Sequence, residues 1–328
     1  MKNKVCTADA SACIHCGQCT NHCSLLKKYG IDIGDTQRLH ELAYHCFLCG
    51  KCSEVCPEGI DGREIILRMR KKIAADNSGN LKEKGYRILL REKENYIFQN
   101  YRHITNGTVL FPGCNFPSFY PETTRKLWKV LQEYQDVGIV YDCCGKPLEE
   151  LGKEAQAEKI VRSINQKLKQ AGVDEVIMVC PNCYYYLKDR LEVKVISVYE
   201  KLAKLGAGQP AAGGDVHMFI PCPDRKEREW LTQMEVFLPA GYSVIEGVQC
   251  CGLGGCAAVK EADLAKGFAE VLKEKQLPNL YTYCGTCGGN ITRAGVNGVN
   301  HILAGILETE EAADVKKSLL NRAKTKFI

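Results

Sequence analysis

"VGIVYDCCGKP", residues 137 to 147, carries an apolar run straight into two adjacent cysteines and a glycine. "YSVIEGVQCCGLGG", residues 242 to 255, does it again in the second half of the chain. Adjacent cysteines make a poor disulfide, because the ring they close pulls the S–S geometry away from its preferred values. Two neighbouring thiolates also reach opposite corners of one tetrahedral ion only under strain, whereas they can ligate two adjacent metals. The pairs therefore point to a distorted polynuclear metal site. Working outward from them recovers a long repeat. Cys114, Cys143, Cys144, Cys180 and Cys183 return as Cys222, Cys250, Cys251, Cys284 and Cys287, with offsets between 104 and 108.

Each half of the repeat has one rhythm. An apolar run ends at the lone cysteine ("TVLFPGC", 108–114; "VHMFIPC", 216–222), and a second enters the pair. A long segment with apolar residues at helical spacing follows, such as "EAQAEKIVRSINQKLKQAG" (154–172), and a third run ends at a CxxC ("EVIMVCPNC", 175–183; "NLYTYCGTC", 279–287). Strand, helix, strand, helix, strand predicts an α/β unit with a parallel sheet. Ligands of such sheets sit at the carboxyl ends of the strands, where all five cysteines of each half fall.

A shorter repeat precedes these halves. Cys13, Cys16, Cys19 and Cys23 recur 33 residues later as Cys46, Cys49, Cys52 and Cys56, which leaves only Cys6 and Cys256 outside a pattern. The spacing C-x2-C-x2-C-x3-C resembles that of two-cluster bacterial ferredoxins over residues 10 to 60, including Pro57 after the last cysteine; Ser24 departs from the pattern in the first run. By that resemblance one cubane 4Fe–4S cluster takes Cys13, Cys16, Cys19 and Cys56, and the other takes Cys46, Cys49, Cys52 and Cys23. Gly17 and Gly50 supply the flexible positions. Paired zinc sites would space two CxxC motifs further apart without the interleaved third step. His15, His22 and His45 adjoin these cysteines, yet four thiolates already complete each site, so they read as supporting or surface residues.

The expected class is α+β / α/β. A small, mostly helical dicluster ferredoxin-like domain (1–75) and a helical connector (76–106) lead into two pseudo-repeated α/β domains with parallel sheets (107–207 and 215–308). The seam "LGAGQPAAGGD" (205–215) divides them, and a charged tail (309–328) closes the chain. A net charge of +5, from 44 Lys and Arg against 39 Asp and Glu, suits an anionic substrate or acidic partner but falls short of a nucleic-acid signature. Twenty cysteines, with no apolar run at the N-terminus of the length a signal needs, predict a reducing cytoplasm. No stretch has the roughly 20 apolar residues of a membrane span, so any membrane association is expected through a partner.

Residues 108 to 305 resemble the cysteine-rich CCG domains of the B-type and D-type heterodisulfide reductase catalytic subunits. With the ferredoxin part included, the likeness extends over nearly the whole chain in the D-type order. It implies a noncubane 4Fe–4S cluster on Cys114, Cys143, Cys144, Cys180 and Cys183, and another on Cys222, Cys250, Cys251, Cys284 and Cys287. "PCPD" against "PGCN", "CGTC" against "CPNC" and the extra Cys256 set the halves apart, and some relatives hold zinc in one half, so identical metals are not implied. "GLGGCA" (252–257) looks like a nucleotide fingerprint, but no acidic residue closes the next strand; its glycines read as letting backbone amides approach a cluster. "YYYL" (184–187) reads as packing.

The function implied is an iron–sulfur oxidoreductase. Electrons would pass from the cubane clusters to the noncubane clusters to reduce a small-molecule disulfide, or to oxidise thiols in reverse, in the catalytic subunit of a complex. A flavoprotein, a ferredoxin or a membrane cytochrome subunit would be the electron donor. The alternative is an electron-transfer subunit of a flavin-dependent 2-hydroxy-acid or glycerol-3-phosphate oxidising complex; a zinc-bearing thiol sensor is the remote one. Bond cleavage needs a proton source. Lys146 is the candidate, weighed against the plainer reading of a solvated surface lysine.

Overall fold

The computed structural model describes residues 8–81, 83–211 and 215–328. The N-terminal part is helical, as its cysteine spacing requires. Gly17 and Gly50 both adopt φ +73, so each CxxC turns directly into a short helix, Gln18–His22 or Lys51–Glu54, that carries the third cysteine of its run. The helix Gly62–Asp76, capped by the Asp61 side chain on the Glu64 amide, closes a small core of Leu25, Leu26, Ile33, Leu39, Ile60 and Ile66.

The first repeated half folds on strands β1 (Asn100–His103), β2 (Gly107–Phe111), β3 (Val137–Tyr141), β4 (Val173–Met178) and β5 (Lys194–Ser197), in the order β1-β3-β2-β4-β5. The second has β6 (His217–Phe219), β7 (Ser243–Val244), β8 (Leu280–Thr282) and β9 (Val299–His301), in the order β7-β6-β8-β9. Setting β1 aside, the two orders are the same, and all those pairings are parallel. The second sheet is the weaker copy. "VIEGVQ" interposes Glu246, Gly247 and Gln249 where β3 has an unbroken buried run, so β7 stops after two residues. Both halves share one core, in which Met218, Trp230, Tyr283 and Ile302 of the second half join Val109, Ile139, Val176 and Ile196 of the first.

Two stretches do more than the sequence suggested. The connector 76–106 supplies the helix Arg87–Glu94 and then β1, which pairs antiparallel with β3, so the first sheet is mixed rather than wholly parallel. The charged tail folds as the helix Ser318–Lys324 against the helix Phe116–Phe119. It is tied down where Asn100 Nδ2 donates to the Thr325 and Ile328 carbonyls, each at 2.8 Å.

Arg70 joins the three parts. It is fully buried, and its guanidinium donates to the carbonyls of Ala43 and Cys46 in the N-terminal part, Glu150 in the first half and Gly255 in the second, at 2.6–2.9 Å. One cation thereby satisfies four backbone acceptors that burial would leave bare.

Candidate metal centres

The CCG motif is a turn before it is a ligand set. Gly145 and Gly252 adopt φ +88 and +86, and a Cβ on either would press a backbone carbonyl at 3.3 or 3.2 Å. Only glycine turns the chain there without strain, so each cysteine pair is held at the end of its strand segment while the next helix leads away. The CxxC motifs sit at helix starts, Cys180 before Pro181–Leu187 and Cys284 before Gly285–Arg293.

The structure brings the sequence repeat together in space, contact for contact. Cys114 meets Cys143 as Cys222 meets Cys250, the latter at 4.0 Å between sulfurs. Cys144 meets Cys183 as Cys251 meets Cys287. The two groups of five also touch, through Cys180 and Cys284. All five cysteines of the first half, with Cys222, Cys251 and Cys287 of the second, open on one cavity of about 390 Å³.

In the N-terminal part, Cys13, Cys16, Cys19 and Cys56 line one small hollow, and Cys16 is exposed. The buried Cys23 and Cys49 crowd together with the half-buried Cys46 and Cys52. Cys49 lies within hydrogen-bonding reach of Cys250. The groups thus form a file: Cys16 at the surface, then the four around Cys49, then the second half's five, then the first half's five. Chain order is not followed, since it is a cysteine of the second five, Cys250, that adjoins Cys49 of the N-terminal part.

This donor set fits iron–sulfur clusters. Burial, with Cys49 and Cys46 close by, pushes the Cys23 thiol up to about 12, and burial pushes Cys46 up to about 11. So many buried sulfurs become thiolates together only against positive charge, which metal ions supply.

Around the cavity the sequence reading missed several residues. Lys93, from the connector, is 4% exposed and places Nζ 3.5 Å from Cys114 Sγ and 2.9 Å from Glu92. Arg322, from the tail, pairs with Glu92 and donates to Asn115 Oδ1 at 2.7 Å. Burial works against the charge of Lys93, yet the Cys114 and Cys143 sulfurs hold its pKa above the ordinary lysine value. No motif marks either residue; both reach the site from segments that read as linker and tail.

Lys146 is not a solvated surface lysine. Its side chain is 13% exposed, pairs with the buried Glu150 and lines the same cavity. Burial works the other way, but Lys146 and Arg63 hold the Glu150 carboxyl below its usual range.

The remaining sequence readings divide. His15 bonds Asp32 at 2.9 Å, His22 the Gln18 carbonyl, and His45 the buried Glu261, so all three act beside the cysteines. Among the described residues, Cys13, His15 and Asp32 do bring ligand atoms within 4.8 Å of one another. "YYYL" is packing: Tyr184 and Leu187 are buried, and the Tyr185 hydroxyl donates to the buried Asp224 of "PCPD". "GLGGCA" does turn backbone amides to the cysteines, Gly252 N donating to Cys250 Sγ at 3.3 Å, and its later glycines serve a second approach. A Cβ at Gly254 or Gly255 would meet the carbonyl of Phe47 at 2.5 Å or of Cys46 at 2.6 Å, so they admit the N-terminal part's backbone. Cys256 stands apart from the second five; it faces the cavity near Glu150 and Arg70, and burial raises its thiol to about 11. Cys6 lies outside the described residues.

These features define an iron–sulfur protein of joined domains. The profile of the 4Fe-4S dicluster domain matches residues 9–60, and that of the cysteine-rich domain matches 108–188 and 216–292. The chain thus joins one 4Fe-4S dicluster domain to two cysteine-rich CCG domains, and proteins similar to it at modest identity are named as heterodisulfide reductase and fumarate reductase (CoM/CoB) subunits. Its relatives include the B subunit of the fumarate reductase (CoM/CoB) of Methanothermobacter marburgensis, 24% identical over 86% of this chain and 67% of that protein. The D subunit of the dihydromethanophenazine:CoB–CoM heterodisulfide reductase of Methanosarcina mazei is 23% identical over 80% of this chain and 82% of its own length. The EtfAB:quinone oxidoreductase of Syntrophomonas wolfei is 24% identical over 66% of this chain, which spans 36% of that protein. The relatives are oxidoreductases or their subunits, and the matched domains carry 4Fe–4S clusters. Among the described residues no helix is long and apolar enough to cross a membrane.

Proposed function

We propose that the chain is an electron-carrying and disulfide-reducing subunit. Cys13, Cys16, Cys19 and Cys56 would hold one cubane cluster, and Cys46, Cys49, Cys52 and Cys23 the other. The two groups of five would hold noncubane clusters, the substrate lying between them. The observation that carries this reading is the single cavity onto which both groups of five open, with Cys180 against Cys284 at their junction.

When bound, such clusters supply single electrons and iron sites that take sulfur. The protein's own residues supply position and protons. Reduction of R–S–S–R′ takes two electrons and two protons and releases RSH and R′SH. Lys93 and Lys146 are the proton-bearing groups on the cavity wall beside the first group of five. Glu92 and Glu150 offset only part of the charge of Lys93, Lys146, Arg63 and Arg322, so the wall stays net positive, which favours a substrate bearing negative charge. Phe47, Leu48, Leu89 and Leu253 form the apolar part of the wall and exclude water there. An electron-donor protein would meet the chain at the exposed Cys16.

The test is iron, acid-labile sulfide and zinc per chain on anaerobically purified protein, followed by disulfide-dependent oxidation of the reduced protein. Roughly sixteen irons and turnover with a disulfide support the reading; about eight irons would sink it. The similarity to a quinone oxidoreductase favours a second reading, in which the chain relays electrons between a flavoprotein and a quinone-reducing partner. A co-purifying flavoprotein, with no disulfide turnover from a fully loaded chain, would decide for it.

A further inference from the structure

Gln249 lies directly before the second cysteine pair, and its side chain does not join that pair. It is 8% exposed and reaches into the N-terminal part, where Nε2 stands 3.6 Å from Cys23 Sγ and 3.5 Å from Cys49 Sγ. The orientation of a side-chain amide is ordinarily ambiguous, but here one neighbour settles it. The Ser24 amide donates to Oε1 at 2.7 Å, so the oxygen faces Ser24 and both N–H groups face the sulfurs. The side chain is then saturated. Arg225 fixes the backbone beneath it, donating to the Gln249 carbonyl at 2.6 Å and to the Cys49 carbonyl at 2.9 Å.

We propose that Gln249, contributed by the second CCG half, is a positioning residue that tunes the second ferredoxin-like cluster by donating N–H···S hydrogen bonds to Cys23 and Cys49. The inference rests on the proposal that Cys46, Cys49, Cys52 and Cys23 hold that cluster. Hydrogen bonds to ligand sulfur withdraw charge from a cluster and favour its reduced form, so they raise its potential. Cys23 comes from one run and Cys49 from the other, so Gln249 joins the two runs. It also makes the donor's potential depend on seating of the acceptor half, because Cys250 is its neighbour in the chain. An electron leaving the buried cluster for the second half would therefore start from a level set by that half itself.

The experiment is a reductive titration followed by electron paramagnetic resonance on the full chain, comparing wild type with Gln249→Met and Gln249→Glu. Met matches the length and donates nothing. Glu keeps the acceptor for Ser24 and turns an anionic oxygen toward the sulfurs. The expected result is a lower potential for one cubane signal in Met, by about tenfold in its reduction equilibrium, or about 59 mV for one electron, and a larger fall in Glu. The signal of the cluster near Cys16 stays in place. Wild-type potential in both variants, an equal shift of every cluster, or loss of the cluster from both variants would overturn the inference. Iron content of the wild type separates the two readings: a deficit of four irons traced to this site by Cys49→Ser defeats the cluster assignment itself.

Discussion

The two CCG halves have the same five cysteines, the same glycine turn and the same parallel strand order, yet they face different neighbours. The second half presses against the N-terminal part through Cys250 and Cys49, Phe268 and Phe47 with ring centroids 5.1 Å apart, and the buried Glu261 on Lys28 at 2.6 Å. The first half meets the N-terminal part away from its cysteines, where Tyr44 donates to the Leu151 carbonyl and Lys71 pairs with Glu149, and it has Lys93 and Arg322 drawn over its lone cysteine, from the connector and from the tail. Duplication explains the ligands, and the flanking segments explain what differs. On the proposed reading, the half whose cysteines adjoin the ferredoxin-like part would receive electrons, and the half under the cations would finish the reaction.

The strongest way to break that comparison is to empty one half at a time. Cys144→Ser should lower iron from roughly sixteen to roughly twelve per chain and cut disulfide reduction by about 1000-fold or more. Cys251→Ser should do the same to turnover, but it should also leave the first half's cluster unreduced by the physiological donor while a small chemical reductant still reaches it. If the donor reduces the first half as fast without the second as with it, the order of the file is wrong.

Next in size is the joint itself. Arg70→Met strips donors from four buried carbonyls belonging to all three parts, and should cost about 3–5 kcal/mol. A urea titration followed by far-ultraviolet circular dichroism reads this. An unchanged midpoint would mean that water replaces the guanidinium and that the parts are not held through it.

Lys93→Met sharpens the contrast between the halves. Removal of the buried charge beside Cys114 should slow disulfide reduction by roughly 10–100-fold, with the second half's cluster keeping its spectrum. Lys93→Arg should restore much of the rate. Equal loss in Met and Arg would reduce Lys93 to a packing role.

Much of this is legible in the sequence, and the reasons are local. Apolar runs that end in cysteines state both the strands and the end of the sheet at which the ligands gather, so the parallel pairing and the convergence of Cys114, Cys143, Cys144, Cys180 and Cys183 follow from spacing. What spacing cannot express is which segment covers the site. Lys93 sits in "REKEN" and Arg322 in "LLNRAK", each an ordinary charged helix by composition, and only the packing of those helices brings them to Cys114. The same holds for β1, whose four residues carry no strong strand pattern and pair only because β3 leaves an open edge. "GLGGCA" reads in the sequence as an approach of backbone amides to a cluster, and the Gly252 amide does reach Cys250 Sγ; what the sequence does not express is the second approach, of the Phe47 carbonyl to Gly254.

The smallest effects test that last point within the second half, with two glycines. Gly254→Ala drives a methyl to 2.5 Å from the Phe47 carbonyl, a contact backbone cannot yield cheaply. It should cost about 1–3 kcal/mol and weaken the seating of the N-terminal part, which limited proteolysis near residues 76–86 would report as faster cleavage. Gly267 lies inside the helix Ala262–Glu274, where a Cβ meets nothing within 4 Å. Gly267→Ala should stabilise by about 0.5–1 kcal/mol, because the helix interior loses a residue whose unfolded chain is the most free. The two substitutions are chemically identical and lie thirteen positions apart, so opposite signs in one thermal melt would isolate close approach as the reason for the glycine at 254. Like signs would mean that the contact at Phe47 relaxes at little cost and that the second half seats the N-terminal part by other means.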